Sequence, residues 1–303
     1  MAIESKNLPL HDFKMPAGEG VPFEIISYDF MNTKTRRLSQ LSIPHRHTFY
    51  QILYYTGGAG THFVDFESYP LHTPCLYFLS PGQVHFWDLN RPLEGYALVF
   101  TEDFLLLSPT GQSRIHELAF FHGFMQQPEL KLNKAQKADV EALIHTIRKE
   151  YLASEFSRAS MLRAYLHILL VKIQRMYDAA HAYDKNLSSQ STLVRRFKKL
   201  VSKEIAIDRS VKVYAESLGV GADHLRETVK TVTGKSPGQL IRQEVALEAK
   251  RLLAHTDLSA AEIGYRMAFE DPSYFSRFFK RETDMSPHHF RTHFQEKYHF
   301  SRN

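Results

Sequence analysis

Cysteine is almost absent: Cys75 stands alone, which excludes an intrachain disulfide framework and any multi-cysteine zinc module. Long apolar runs are absent too. The densest aliphatic stretch, residues 166–171, has His167 inside it and falls far short of the ~20 residues a membrane span needs. The opening MAIESKNLPLHDFK has no apolar core of the kind a secretory signal carries. The expectation is a soluble chain of a reducing compartment, the cytoplasm, with no membrane contact. No large excess of one charge exists either, since 38 Lys+Arg face 33 Asp+Glu. What is present is a 43% hydrophobic content over 303 residues. That fraction excludes a disordered or collagen-like chain, and at roughly 150 residues per domain the length suggests two domains.

The near balance conceals an asymmetry. From Asn186 onward there are 20 Lys+Arg and 14 Asp+Glu, whereas the residues before it hold 18 and 19. A basic excess confined to the last third fits a polyanion-binding half, because Lys and Arg gain affinity by releasing phosphate counterions. A solvated basic surface would give the same count.

Residues 20–100 read as strands. The runs 23–28, 50–55, 60–66, 75–79 and 96–100 are rich in aromatic and β-branched residues. Gly57-Gly58, Tyr69-Pro70, Ser80-Pro81-Gly82 and Arg91-Pro92 separate them as turn chemistry. Short strands at this spacing suggest a small barrel or sandwich. From Asn133 the period becomes helical, with Val140, Ile144, Ile147 and Tyr151 on one stripe. A second stripe, Leu162, Leu166, Leu169, Ile173 and Met176, spans about two heptads. It can pack on its own barrel or against a second copy of the chain, so these five are candidate dimerisation residues. The polar stretch 181–192 reads as a linker.

The basic third contains an internal repeat. HLRETVKTVTGKSPGQL, from His224, aligns at an offset of 50 with YFSRFFKRETDMSPHHF, from Tyr274. Lys230 matches Lys280, Thr233 matches Thr283, and Ser236-Pro237 matches Ser286-Pro287. A short amphipathic helix precedes each copy, giving two helix-turn-helix units at 211–233 and 259–283. Small residues, Ala215 and Gly264, let the paired helices cross closely. Ser236 and Ser286 are N-caps, and Pro237 and Pro287 sit where a missing N–H costs nothing. The segment between the copies suits one helix of ~18 residues, roughly 27 Å long. Such a rod could hold two recognition helices about one DNA turn, roughly 34 Å, apart.

On the first recognition helix Leu225 and Val229 face inward, leaving Asp223, His224, Arg226, Glu227 and Lys230 outward. On the second, Phe275, Phe278 and Phe279 face inward, leaving Ser273, Tyr274, Ser276, Arg277, Lys280 and Arg281 outward as candidates for DNA contact. Arg226 and Arg277 suit bidentate contact with guanine, worth about 1–3 kcal/mol each. The segment 268–291, AFEDPSYFSRFFKRETDMSPHHFR, resembles the second-motif signature of the AraC/XylS family of bacterial transcription regulators. The resemblance implies base reading by Asp223, Arg226 and Glu227 and by Pro272, Ser273, Tyr274 and Arg277. It also implies binding to two adjacent major-groove sites, usually to activate transcription. Glu227 stands where the family often has Arg, Val229 where Phe is usual, and Ala268 and Asp284 where glycine is common.

The strand-rich half carries His45-Arg46-His47, Gln51, Gly58 and Pro81-Gly82-Gln83-Val84-His85. This resembles the cupin motif pair, in which two His, a Glu and a third His hold a metal inside a small barrel. Here Gln51 takes the carboxylate position, and a neutral amide is a poor ligand for a hard cation. The expectation is therefore no metal or other cofactor, with His45, His47, Gln51 and His85 as the set that would hold an ion. The favoured reading is an effector pocket lined by His45, His47, Tyr54, Phe63, Tyr77, His85 and Trp87, since apolar walls with a few polar groups are the usual form.

The expected architecture is multidomain α+β. An arm (1–20), a cupin-like effector barrel (21–132), a helical dimerisation segment (133–180) and a linker (181–192) precede an all-α DNA-binding domain (193–303). The expected function is sequence-specific transcription regulation, with no catalysis, under a small-molecule effector. Its partners would be promoter DNA, RNA polymerase and, in a homodimer, a second copy. The alternatives are an effector-independent regulator whose barrel only dimerises, or a metal-dependent cupin enzyme.

Overall fold

The computed structural model describes residues 10–11, 21–29, 42–105, 115, 118–121, 128–153, 156–180, 188–203, 205 and 210–297. The chain divides into two compact units, Pro9–Tyr183 and one containing Asp184–Asn303.

The first unit is built on strands β1 (Leu10–His11), β2 (Phe23–Ser27), β3 (His45–His47), β4 (Tyr50–Val64), β5 (Glu67–Pro70), β6 (Cys75–Leu79), β7 (Val84–Phe100) and β8 (Glu129–Lys131). They form one sheet in the order β1-β3-β7-β4-β6-β8, with β2 on β7 and β5 on β4. The pairing of β4 with β7 runs antiparallel from Tyr50↔Phe100 to Val64↔His85. Gly57-Gly58 and Arg91-Pro92, expected as turns, lie inside these two long strands. The register slips between Tyr55 and Gly60 instead, so the glycines and the proline serve bulges that bend a continuous ribbon. Glycine is most strictly required at two of these positions. A Cβ on Gly60 (φ 148°) would meet Asp88 O at 2.2 Å, and one on Gly95 (φ 121°) would meet Tyr54 O at 2.1 Å.

Alternation divides the sheet into two faces. Ile52, Tyr54, Leu76, Phe78, Leu98 and Phe100 pack on one side against helices α1 (Lys134–Leu152) and α2 (Arg158–Ala180). Helix α1 starts at Asn133, which forms a reciprocal capping box with Gln136. Leu53, Tyr55, Cys75, Tyr77, Leu79, Trp87 and Ala97 form a second buried cluster on the other face. The candidate dimerisation stripe is a correction. Leu162, Leu166, Leu169 and Ile173 are 0% exposed inside this chain's own core, and Met176 packs against the same cluster. The apolar surface of the first four is already removed from water by the sheet and α1, so the stripe is accounted for within one chain.

The second unit is helical: α3 (Ser188–Lys203), α4 (Val211–Leu218), α5 (Ala222–Thr233), α6 (Pro237–His255), α7 (Ala260–Arg266), α8 (Pro272–Thr283) and α9 (Pro287–Lys297). The linker expected at 181–192 ends sooner, because 188–192 form the first turn of α3, whose Leu193, Val194, Phe197 and Val201 are buried. Residues 181–187 lie outside the described residues, as does nearly all of the arm. Helix α6, 19 residues and about 28 Å long, touches α3, α5, α7, α8 and α9. Arg291 fastens α9 to the end of this rod, donating to Leu253 O at 3.0 Å and to Leu258 O. Gly264 gives α7 and α8 their close crossing, since a Cβ there would stand 3.1 Å from Phe275 Cβ.

Candidate nucleic-acid interface and interior histidine cluster

The two repeats form the same structure at an offset of 50. Each recognition helix ends in a left-handed residue, Gly234 (φ 68°) after α5 and Asp284 (φ 61°) after α8. Thr233 donates to Val229 O and Thr283 to Phe279 O, both at 2.7 Å. Each threonine oxygen also accepts the amide two residues on, from Lys235 at 3.1 Å and Met285 at 3.4 Å. Ser236 then accepts from Gln239 N and Ser286 from His289 N, opening α6 and α9. The helix starts differ. Gly221 caps α5 without a side chain, whereas Asp271 accepts from Ser273 N at 2.9 Å and Tyr274 N at 3.1 Å. These bonds, that from Ser273 first, hold the Asp271 carboxyl below its ordinary range, with the charge of Arg277 adding to them.

Burial follows the expected faces. Leu225, Thr228 and Val229 are buried on α5, as are Phe275, Phe278 and Phe279 on α8. Asp223, His224, Arg226, Glu227 and Lys230 are exposed, as are Ser273, Tyr274, Arg277, Lys280 and Arg281, while Pro272 and Ser276 are half-buried. Arg226 pairs with Asp223 at 2.5 Å, and Arg277 lies 4.0 Å from Asp271. Exposed pairs of this kind contribute little to stability, so both guanidiniums are held by contacts that a stronger anion can replace.

On the buried inner face of the sheet, histidines from β3, β4 and β7 converge. His45 Nδ1 lies 2.7 Å from Ile43 O, His47 Nε2 lies 2.9 Å from His85 Nε2, and His85 Nδ1 lies 3.2 Å from His62 Nε2. One ring nitrogen from each of His45, His47 and His85 falls within 4.8 Å of the other two. His62 stacks on Trp87 with ring centres 4.6 Å apart, and Trp87 Nε1 donates to Tyr55 Oη at 2.9 Å. Tyr77 packs beside His62 at 5.1 Å. Gln51 shares the face of Leu53 and Tyr55 by alternation; it is buried, and its Oε1 has no hydrogen-bond partner among the described residues.

Two sequence profiles match this chain: an AraC-like ligand-binding domain over residues 35–168 and a helix-turn-helix domain over 214–293. It belongs to the AraC family. A curated relative, the HTH-type transcriptional activator RhaR of Enterobacter sp. (strain 638), is 23% identical over 80% of this chain and 84% of its own length. The RhaR of Salmonella heidelberg (strain SL476) is 22% identical over 82% and 86%. The solved C-terminal domain of AraT, a response regulator from Geobacillus stearothermophilus, aligns with 33% of this chain and 84% of its own at 29% identity and a TM-score of 0.32. As a member of the AraC family, the chain is a DNA-binding transcription regulator with a ligand-binding domain.

Within this AraC-family chain the interior lining differs from the expected set. His45, His47, Tyr77, His85 and Trp87 come together, but Tyr54 and Phe63 do not join them. Tyr54 faces the helices and donates to Glu141 Oε1 at 2.9 Å; burial raises its hydroxyl pKa, and Glu141 raises it further. Phe63 stacks on Phe86 at 4.5 Å, on the side away from His62 and Trp87. His62 and Tyr55 are the additions. The bulges after Tyr55 shift the inward parity of β4, which places His62 inside and Phe63 outside.

His62 is fully buried, and burial, with the neighbouring charge of His45 second, lowers its pKa to about 3. The folded chain thus refuses a proton that the unfolded chain accepts below about pH 6.5. Stability from this group is complete above that pH and is lost as pH falls toward 3, by about 1.4 kcal/mol per unit. Denaturant unfolding with a chelator present, run between pH 7 and 4, should show that slope flattened in His62→Phe, whose ring keeps the stack on Trp87. Equal slopes in the two proteins would remove His62 as the source.

Proposed function

We propose that this regulator reads two adjacent major grooves with α5 and α8, as a cytoplasmic activator whose DNA-binding half answers to a small molecule held in the sheet domain. The observation that carries the reading is the repeat. Two recognition helices with the same buried positions and the same C-terminal network leave equivalent outward positions, and a cation occupies Lys230 and Lys280 alike. Residues near the helix starts reach base edges, and Lys and Arg one turn later meet phosphate. Arg226 and Arg277 contact guanine, and Lys230, Lys280 and Arg281 contact backbone. The enclosed imidazole and indole groups support effector binding in the first unit. RNA polymerase is the downstream partner, and the reading assigns the chain no catalytic step. Any homodimer uses surfaces other than the buried Leu162–Ile173 stripe.

The test uses duplexes selected by the full chain from a random pool. Arg277→Ala should weaken binding by about 1–3 kcal/mol and relax preference at one base pair. Lys280→Ala should weaken all sequences alike and lower the salt slope by about one. Unchanged affinity and preference in both Arg226→Ala and Arg277→Ala would refute the assignment.

A further inference from the structure

Polar atoms without partners collect on the inner face of the sheet. Gln51 Oε1, His62 Nδ1, Tyr77 Oη and Glu129 Oε1 are buried and make no hydrogen bond among the described residues. Native interiors leave few such atoms, so a group of four on one face points to something that pairs with them. Register brings three of them together. Glu129 on β8 stands directly opposite Tyr77 on β6, and Tyr77 in turn faces Leu53 on β4, two residues from Gln51. Directly opposed side chains have Cβ atoms about 4.5–5.5 Å apart, and diagonal neighbours such as Tyr77 and Gln51 about 7–8 Å. The Tyr77 ring lies 5.1 Å from His62 and 6.4 Å from Tyr69.

Glu129 is the member that neutral groups cannot satisfy. Its side chain is 8% exposed, and its ion pair is with His72 Nδ1 at 3.4 Å, on a side chain that is itself 53% exposed. Burial raises the Glu129 carboxyl pKa, against the opposing charges of His72 and then of the exposed Lys131. Water screens a half-exposed partner, so the carboxylate lies in the interior without a cation of matching depth.

We propose that the interior accepts a small molecule bearing a protonated amine, paired with Glu129, hydrogen-bonded by Tyr77 and Gln51 and covered by the neighbouring aromatic rings. This rests on the effector reading and names a ligand class for it. Gln51 Oε1 and an ionised Glu129 only accept, and an ammonium group supplies three donors and no acceptor. Tyrosine faces attract a cation within about 6 Å of the ring centre. His62, kept neutral by burial, adds no competing positive charge. An alcohol supplies one donor but leaves the buried charge uncompensated, and an anionic head group is repelled by it.

The test melts the full chain with three matched sets of probes: the amine, alcohol and carboxylate built on butyl, benzyl and cyclohexylmethyl frames. A ligand that binds only the folded chain raises the melting temperature. In the parent at least one amine should raise it more than its matched alcohol, and the carboxylates should not raise it. Glu129→Gln should weaken that amine about 10–100-fold and leave the alcohol's effect in place, and Tyr77→Phe should weaken it about 3–10-fold. Neither substitution should lower the melting temperature of the unliganded chain, since each removes a buried group that lacks a hydrogen bond. Should Glu129→Gln fail to fold, the order of the three head groups on the parent decides the matter. No amine advantage in the parent, or an advantage that persists in folded Glu129→Gln, overturns the amine subsite. Alcohols or carboxylates that bind alone and change affinity for the selected duplex leave the effector reading standing without it. An amine that binds through Glu129 yet leaves duplex affinity unchanged upholds the subsite and removes it from the effector reading.

Discussion

Phe279→Ala should destabilise the helical unit by about 3–5 kcal/mol, the usual range for deleting a buried phenyl ring. Phe279 is 0% exposed and packs its ring against Phe275 at 6.0 Å and Phe290 at 5.5 Å, so the gap would open where α8 and α9 meet. The collapse open to its neighbours is small, because Phe275 is already pressed against the bare backbone of Gly264. The equivalent truncation in the first repeat, Val229→Ala, removes two methyl groups and should cost about 2 kcal/mol or less. Denaturant unfolding of the full chain, followed by far-ultraviolet dichroism, checks both. A cost below about 1 kcal/mol for Phe279→Ala would contradict the packing described.

Leu166→Ala should cost about 2–5 kcal/mol in the first unit, and that cost should not vary with protein concentration. Leu166 is 0% exposed between the sheet and α1 in a single chain. If it served a seam between two chains instead, the melting temperature of the parent would rise with concentration and the variant would lose that dependence. Melting the two proteins over a wide concentration range distinguishes these outcomes. A concentration-dependent penalty would return the stripe to a role between chains.

The same residue shows what a sequence can and cannot convey. A heptad stripe announces that Leu162, Leu166, Leu169 and Ile173 are buried, because period alone carries that information. It does not say what covers them, since a sheet of the same chain and a helix of another present equal apolar surface. The strands show a sharper limit. Tyr54 and Tyr55 are chemically alike and adjacent, and only the pleat decides which meets the helices and which meets Trp87. The bulges between Tyr55 and Gly60 then reset the alternation, which turns His62 inward and Phe63 outward. The DNA-binding half was more legible because its requirements occur twice. Threonine, a left-handed residue, serine and proline recur 50 residues apart, and chance does not duplicate a hydrogen-bond network. Only the histidine triad bridged both levels: its members could be named from their resemblance to the cupin motif, but the orientation of their nitrogens depends on Ile43 and His62, which that motif does not single out.

The hydroxyl of Tyr54 on Glu141 has a mechanical corollary. Its neighbour Tyr55 accepts from the indole of Trp87 on the opposite side of the same strand. One peptide plane therefore joins a tether into the interior to a tether onto α1. A ligand that displaced the indole would act on the same peptide plane that carries the Glu141 tether to the helical layer.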